Sequence, residues 1–281
     1  MTGAIIGDIV GSIHEFDHRF HGKKDAFDIF QPDGSFMPGT FPTDDSLCTI
    51  AIASAIYATR KYGTELRDNV VDFLVDFGLR FPHSGYGTMY FEWLESKDHK
   101  PYGSWGNGAA MRVSPCAFLA SSRDEAAEFS DIATGVTHNH EEGMAWAKAV
   151  TLACWDLAHG ASKESVVTLM PERDTFAKPF SEIVNASRFT CRSRISVRDA
   201  VHAFLVSTSF EDAIRNAIAL GADADTQACI AGALAEAHYG VPERFKVAAA
   251  RKFREFSDGE NREFTAFWLK TAVGFDIYAY D

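Results

Sequence analysis

Gly221-Ala222-Asp223-Ala224-Asp225-Thr226 opens the run TQACIAGALAEAHY, which continues to Tyr239 and stops at Gly240 and Pro242. Its body is mostly alanine with one glycine, so the run reads as a helix that neighbours can approach closely. Asp223 and Asp225 are two apart, which in an extended loop points both carboxylates to one side. Thr226 is placed to cap the helix that follows. Acids at a helix entrance also complement the helix dipole, so this segment alone does not define a site. A second entrance has the same chemistry: Pro42-Thr43-Asp44-Asp45-Ser46 precedes another Ala/Ile-rich helical run, LCTIAIASAIYAT. If the two entrances face each other, four carboxylates and two hydroxyls converge and repel unless something neutralises them. Two divalent cations would balance that charge, and oxygen-only ligands favour Mg²⁺ or Mn²⁺ over zinc. Spacing alone does not place residue 44 beside residue 225.

Outside these entrances the chain reads as helical throughout, with no convincing period-two alternation. Two helical patterns run from 46 to 81, and others lie near 88–96, 141–159, 196–206, 210–220, 243–256 and 261–273. Asn139 is the expected cap of the 141–159 helix, and Ser209 that of the 210–220 helix. Residues 171–195 resist assignment. Gly3, Gly7 and Gly11 fall on one helix face, as in a helix that admits a neighbouring backbone. The missing GK[ST] excludes a phosphate loop. The expected fold is all-α: a compact single-domain helical bundle over 1–281, with a binuclear metal site at helix N-termini. Residues 17–42 form a long irregular loop that could serve as a lid. Its cluster His18, Arg19, His21, Lys23 and Lys24 reads as a solvated face that could also meet a phosphate.

The chain has 281 residues, 46% hydrophobic and 23% charged, with a formal net charge of −12. That balance suits a globular protein and argues against a nucleic-acid-coating surface. Cys48, Cys116, Cys154, Cys191 and Cys229 are odd in number and contain no CxxC, which points to reduced thiols in a cytoplasmic protein. Thr137-His138-Asn139-His140 is not read as a zinc site, because no soft ligands elsewhere complete it. No basic n-region and no apolar run of membrane-spanning length is present.

Five segments in order carry a resemblance: Gly3-Ala4-Ile5-Ile6-Gly7-Asp8 with Glu15, Thr43-Asp44-Asp45-Ser46, Gly106-Asn107-Gly108-Ala109-Ala110-Met111-Arg112, Thr137-His138, and Gly221–Thr226. From residue 3 to about 242 the chain resembles the ADP-ribosylglycohydrolases. The resemblance implies two Mg²⁺ ions, with Mn²⁺ as a substitute, held by Thr43, Asp44, Asp45, Asp223, Asp225 and Thr226. It implies Glu15 as a catalytic group, with Asp45 and Asp225 sharing the chemistry in a division the residues leave open. Gly106, Asn107, Gly108, Ala109 and Met111 would contact the diphosphate and distal ribose, and His138 would line the pocket. The implied activity is hydrolysis of the glycosidic bond joining ADP-ribose to a protein side chain or a small acceptor, by an expected monomer. An ADP-ribose-binding protein without turnover, or a metallohydrolase of another nucleotide or phosphate ester, uses the same residues. The chain departs from the family's commoner residues at Ser46, Ala109 and Ala222.

Overall fold

The run after Asp223 is a helix, Ala224–Tyr239, and Gly240 ends it with a φ of 73°. Asp223, not Thr226, is its N-cap residue, so Thr226 sits inside the first turn. The helix carries alanine on all sides and is buried from Ala224 to Ala235, as expected of a helix without a polar face. The glycine face of the N-terminal helix, Thr2–Gly11, packs directly against it. A Cβ at Gly7 would stand 2.0 Å from the Ala228 carbonyl oxygen, and one at Gly232 2.2 Å from that of Gly3. Two backbones therefore touch where side chains would ordinarily separate them.

The computed structural model describes residues 1–257 and 259–280. Its α-helices in chain order are α1 (Thr2–Gly11), α2 (Asp44–Tyr62), α3 (Leu66–Arg80), α4 (Thr88–Glu95), α5 (Ser114–Phe118), α6 (Arg123–Gly135) and α7 (Glu141–Ala158). They continue with α8 (Phe180–Ala186), α9 (Ser193–Leu205), α10 (Phe210–Ile218), α11 (Ala224–Tyr239), α12 (Glu243–Phe256) and α13 (Gly259–Trp268). Among the described residues there is no strand, only the isolated bridges Phe30–Phe36 and Gly106–Arg192. The protein is an all-α bundle with α11 at its centre, contacted by α1, α2, α7, α9 and α10. No helix among the described residues is long and apolar enough to cross a membrane.

Several local expectations are corrected by capping geometry. The α7 cap is His140, whose side chain accepts from the Glu142 N–H, while Asn139 Oδ1 accepts from Gly103 N at 2.7 Å. Ser209 does cap α10, accepting from Asp212 N. The unassigned stretch 171–195 holds a 3₁₀ turn, Arg173–Ala177, and the short helix α8. The middle of the 17–42 loop is pinned, with Phe30 and Phe36 packed on Phe245 of α12, and Phe41 near its end lines the cleft of the candidate site. Two of its basic residues are paired internally, Arg19 with Asp17 and Lys24 with Asp212. Cys48, Cys116, Cys154 and Cys229 are buried free thiols, and Cys191 is exposed.

Candidate active site

The first turns of α2 and α11 meet. Thr226 Oγ1 donates to Asp45 Oδ2 at 3.2 Å, a bond spanning 181 residues of sequence. From α1, Asp8 joins them, fully buried. It accepts from Thr43 N at 2.9 Å, Thr43 Oγ1 at 2.6 Å and Ser46 N at 3.1 Å, and from the Ser46 hydroxyl. Ser46 therefore does not cap α2. Thr43 does, accepting from Asp45 N. Asp8 thus satisfies free donors in the first turn of α2 that would otherwise be left buried without acceptors.

Two groups of three carboxylates result, Asp8–Asp45–Asp225 and Glu15–Asp223–Asp225, each offering oxygens within 4.8 Å of one another. Asp225 belongs to both. Asp44 lies on the wall of the same cleft but in neither group, with its Oδ1 toward Gly85. Such crowding is costly for the charged forms. Burial, then repulsion from Asp225, raises Asp45, Asp44 and Asp223 well above the ordinary carboxylate value. The same causes push Asp8 to about 7. Half-buried Glu15 is also raised to about 7 by burial, then by Asp225 and Asp8. Asp45 Oδ1 is buried with no hydrogen bond. An oxygen-only, anion-rich set with an orphaned carboxylate oxygen fits a hard divalent cation and offers nothing to a soft one.

Glu15, Asp44, Asp45, Asp223 and Asp225 line a cleft of about 430 Å³, while Asp8 is buried and does not reach it. Gly106, Asn107, Gly108, Met111 and His138 line it too, as does Arg112. Asn107, in the 3₁₀ turn Asn107–Ala109, donates through Nδ2 to Asp223 Oδ2 at 2.7 Å and to Ser196 Oγ at 2.9 Å. Ala109 departs from expectation. It is fully buried and does not line the cleft, because the turn directs its third residue into the core. Ala222 creates no backbone difficulty, since Gly221 takes the left-handed φ of 65° in that turn. Tyr90, Tyr102 and Trp105 line the cleft, Tyr90 being buried and Trp105 exposed at the rim.

Motif reading assigned no role to Asp8, Thr137 or Arg112. Asp8 does carry a signal, being the one charged residue in the run GAIIGDIVG. A lone acid on an otherwise apolar helix is expensive to bury unless it has partners. Arg112 gives no such signal, because its hydrogen-bond partners, the Ala133 carbonyl of α6 and Thr137, lie 21 and 25 residues away.

Fold and site together define an all-α protein with a carboxylate-rich cradle at its cleft. The sequence model of the ADP-ribosylglycohydrolase family matches residues 1–265, and the chain belongs to that family. It is 25% identical to mouse ADP-ribosylhydrolase ARH3 over 88% of this chain and 85% of that protein. It is 29% identical to zebrafish ADP-ribosylhydrolase ARH3 over 86% and 82% respectively. A match to ADP-ribosylarginine hydrolase Tri1 of Pseudomonas putida is 32% identical but covers 48% of this chain and 39% of Tri1. A solved structure described as an ADP-ribosylglycohydrolase-related protein complex superposes with a TM-score of 0.64. It covers 99% of this chain and 96% of that one at 22% identity, a likeness of fold.

Proposed function

We propose that this protein hydrolyses the glycosidic bond between ADP-ribose and an acceptor, releasing ADP-ribose. The observation that carries this reading is the pair of three-carboxylate groups sharing Asp225 at a cleft also lined by the Gly106–Gly108 turn. Two cations, Mg²⁺ by donor chemistry, would be held by Asp45, Asp223 and Asp225 with Thr43, Asp44 and Thr226. When bound they supply charge neutralisation and activation of water at neutral pH. Glu15 stands at the cleft, half-buried. Burial and then the Asp225 and Asp8 charges raise its carboxyl to about 7 in the metal-free protein, which makes it the candidate to take or return a proton. The surrounding carboxylates favour the positive charge that develops on the sugar when a glycosidic bond breaks. Asn107 holds Asp223 in place. Gly106 and Gly108 leave room for a diphosphate-ribose to approach the backbone.

The acceptor distinguishes relatives named for ADP-ribosylarginine from those named only for ADP-ribose. The deciding assay measures free ADP-ribose released from ADP-ribosylated arginine, serine and DNA substrates, with Mg²⁺ and with chelator. Release from at least one substrate, lost on chelation, is the expected result. Micromolar ADP-ribose binding without release from any substrate would instead establish a non-catalytic ADP-ribose-binding protein. Stoichiometric zinc bound through His138 and His140 would overturn the magnesium assignment.

A further inference from the structure

Arg112 is fully buried, and among the described residues no carboxylate pairs with it. Its Nη2 spends both hydrogens on two acceptors, the Ala133 carbonyl at 2.9 Å and Thr137 Oγ1 at 2.5 Å. A guanidinium has no lone pair to offer, so the Thr137 oxygen must accept. The Thr137 hydroxyl hydrogen is then free to donate, and His138 Nδ1 lies 2.7 Å away. The opposite assignment would make His138 Nδ1–H a second donor to Thr137. The hydroxyl hydrogen of a fully buried residue would then lack an acceptor, a cost that proteins avoid.

We infer that Arg112 and Thr137 are positioning residues that lock His138 as the neutral tautomer carrying its proton on Nε2. That nitrogen faces the Gly106–Gly108 turn: a Cβ at Gly106 would stand 3.5 Å from it, and one at Gly108 3.1 Å. The two glycines therefore keep open the space into which Nε2–H points. Burial, and then the Arg112 charge, hold His138 well below the ordinary histidine value, which agrees with an uncharged ring. The relay gives the cleft a fixed N–H donor, suited to a phosphate or sugar oxygen. Three residues far apart in role are thereby joined: a buried cation sets a hydroxyl, the hydroxyl sets a tautomer, and the tautomer faces the ligand. The identity of that ligand rests on the activity proposed above, whereas the tautomer does not.

The test is ¹⁵N NMR of the His138 ring in the whole protein, with Thr137→Val and Thr137→Ser variants and ADP-ribose calorimetry on each. The wild type should show a protonated Nε2 and an unprotonated, hydrogen-bonded Nδ1 without any ligand. Thr137→Val should lose that pattern and weaken ADP-ribose binding on the order of tenfold, the worth of one hydrogen bond to a charged partner. Thr137→Ser should restore both. Protonated Nδ1 in the wild type, or an unchanged tautomer in Thr137→Val, overturns the relay. Should Thr137→Val fail to fold, the wild-type and Thr137→Ser tautomers decide the matter alone. A wild type with the expected tautomer and no affinity for ADP-ribose leaves the relay standing and removes the ligand assignment.

Discussion

Asp225 and Glu15 divide the site at the scale of single residues. Asp225 belongs to both carboxylate groups, and its charge recurs among the causes that raise its neighbours. Glu15 differs from the aspartates in being half-exposed beyond the end of α1, with a carboxyl raised to about 7. A group with little packing to lose and a near-neutral proton suits chemistry better than scaffolding. Glu15→Gln keeps the shape but removes the charge and the proton transfer. Turnover should therefore fall by roughly 10²–10⁴ while ADP-ribose affinity changes little. Near-normal turnover in the folded variant would remove Glu15 from the mechanism and leave Asp45 and Asp225 as the catalytic candidates.

Among the elements, the α1–α11 crossing decides whether the site assembles. Asp8 on α1 and Asp225 on α11 can share a carboxylate group only because the two backbones meet without intervening side chains. A methyl at Gly7 would fall 2.0 Å from a backbone oxygen that no rotamer change can move. Gly7→Ala should accordingly destabilise by about 3 kcal/mol or more, at or beyond the upper end of ordinary overpacking. It should also weaken Mg²⁺ binding, because a displaced Asp8 no longer holds the first turn of α2 that carries Thr43 and Asp45. Gly135→Ala is the control: near the end of α6 its Cβ would meet only Met144 Cε at 3.8 Å. That variant should be neutral or slightly stabilising by thermal melting. Equal melting temperatures for the two would refute the close-crossing argument.

For the whole molecule, the carboxylates concentrate electrostatic strain where α1 and the first turns of α2 and α11 meet. In chelator, Asp8 and Glu15 hold protons in the folded state up to about 7, against ordinary values of 3.8 and 4.5. Between those limits the folded state binds more protons than the unfolded chain, so stability should fall as pH rises through that window. For these two groups the loss levels off above about 7, where both states are ionised. A bound divalent cation stabilises the ionised form, so saturating Mg²⁺ should raise the melting temperature more near pH 7.5 than near about pH 5. Asp225→Asn should shrink the Mg²⁺-dependent rise while stabilising the chelated protein. A melting temperature unmoved by saturating Mg²⁺ at neutral pH would speak against cation binding at this cluster.

Much of this protein was determined by local sequence. The alanine-rich runs, their acidic entrances and the glycine face of α1 declare helices and one close-packed face, because helix period acts within a few residues. The capping residues shifted, as at Asp223 for α11. Hydroxyl-plus-acid chemistry at both entrances was equally legible. Tertiary structure alone decided that Thr226 reaches Asp45 across 181 residues, that Asp8 completes the first turn of α2, and that Asp44 stays outside both carboxylate groups. It also turned Ala109 inward and put a buried guanidinium behind Thr137 and His138. The physical reason is the same in each case. Charge repulsion, burial and hydrogen-bond pairing depend on distance in space, and sequence spacing fixes distance only within an element.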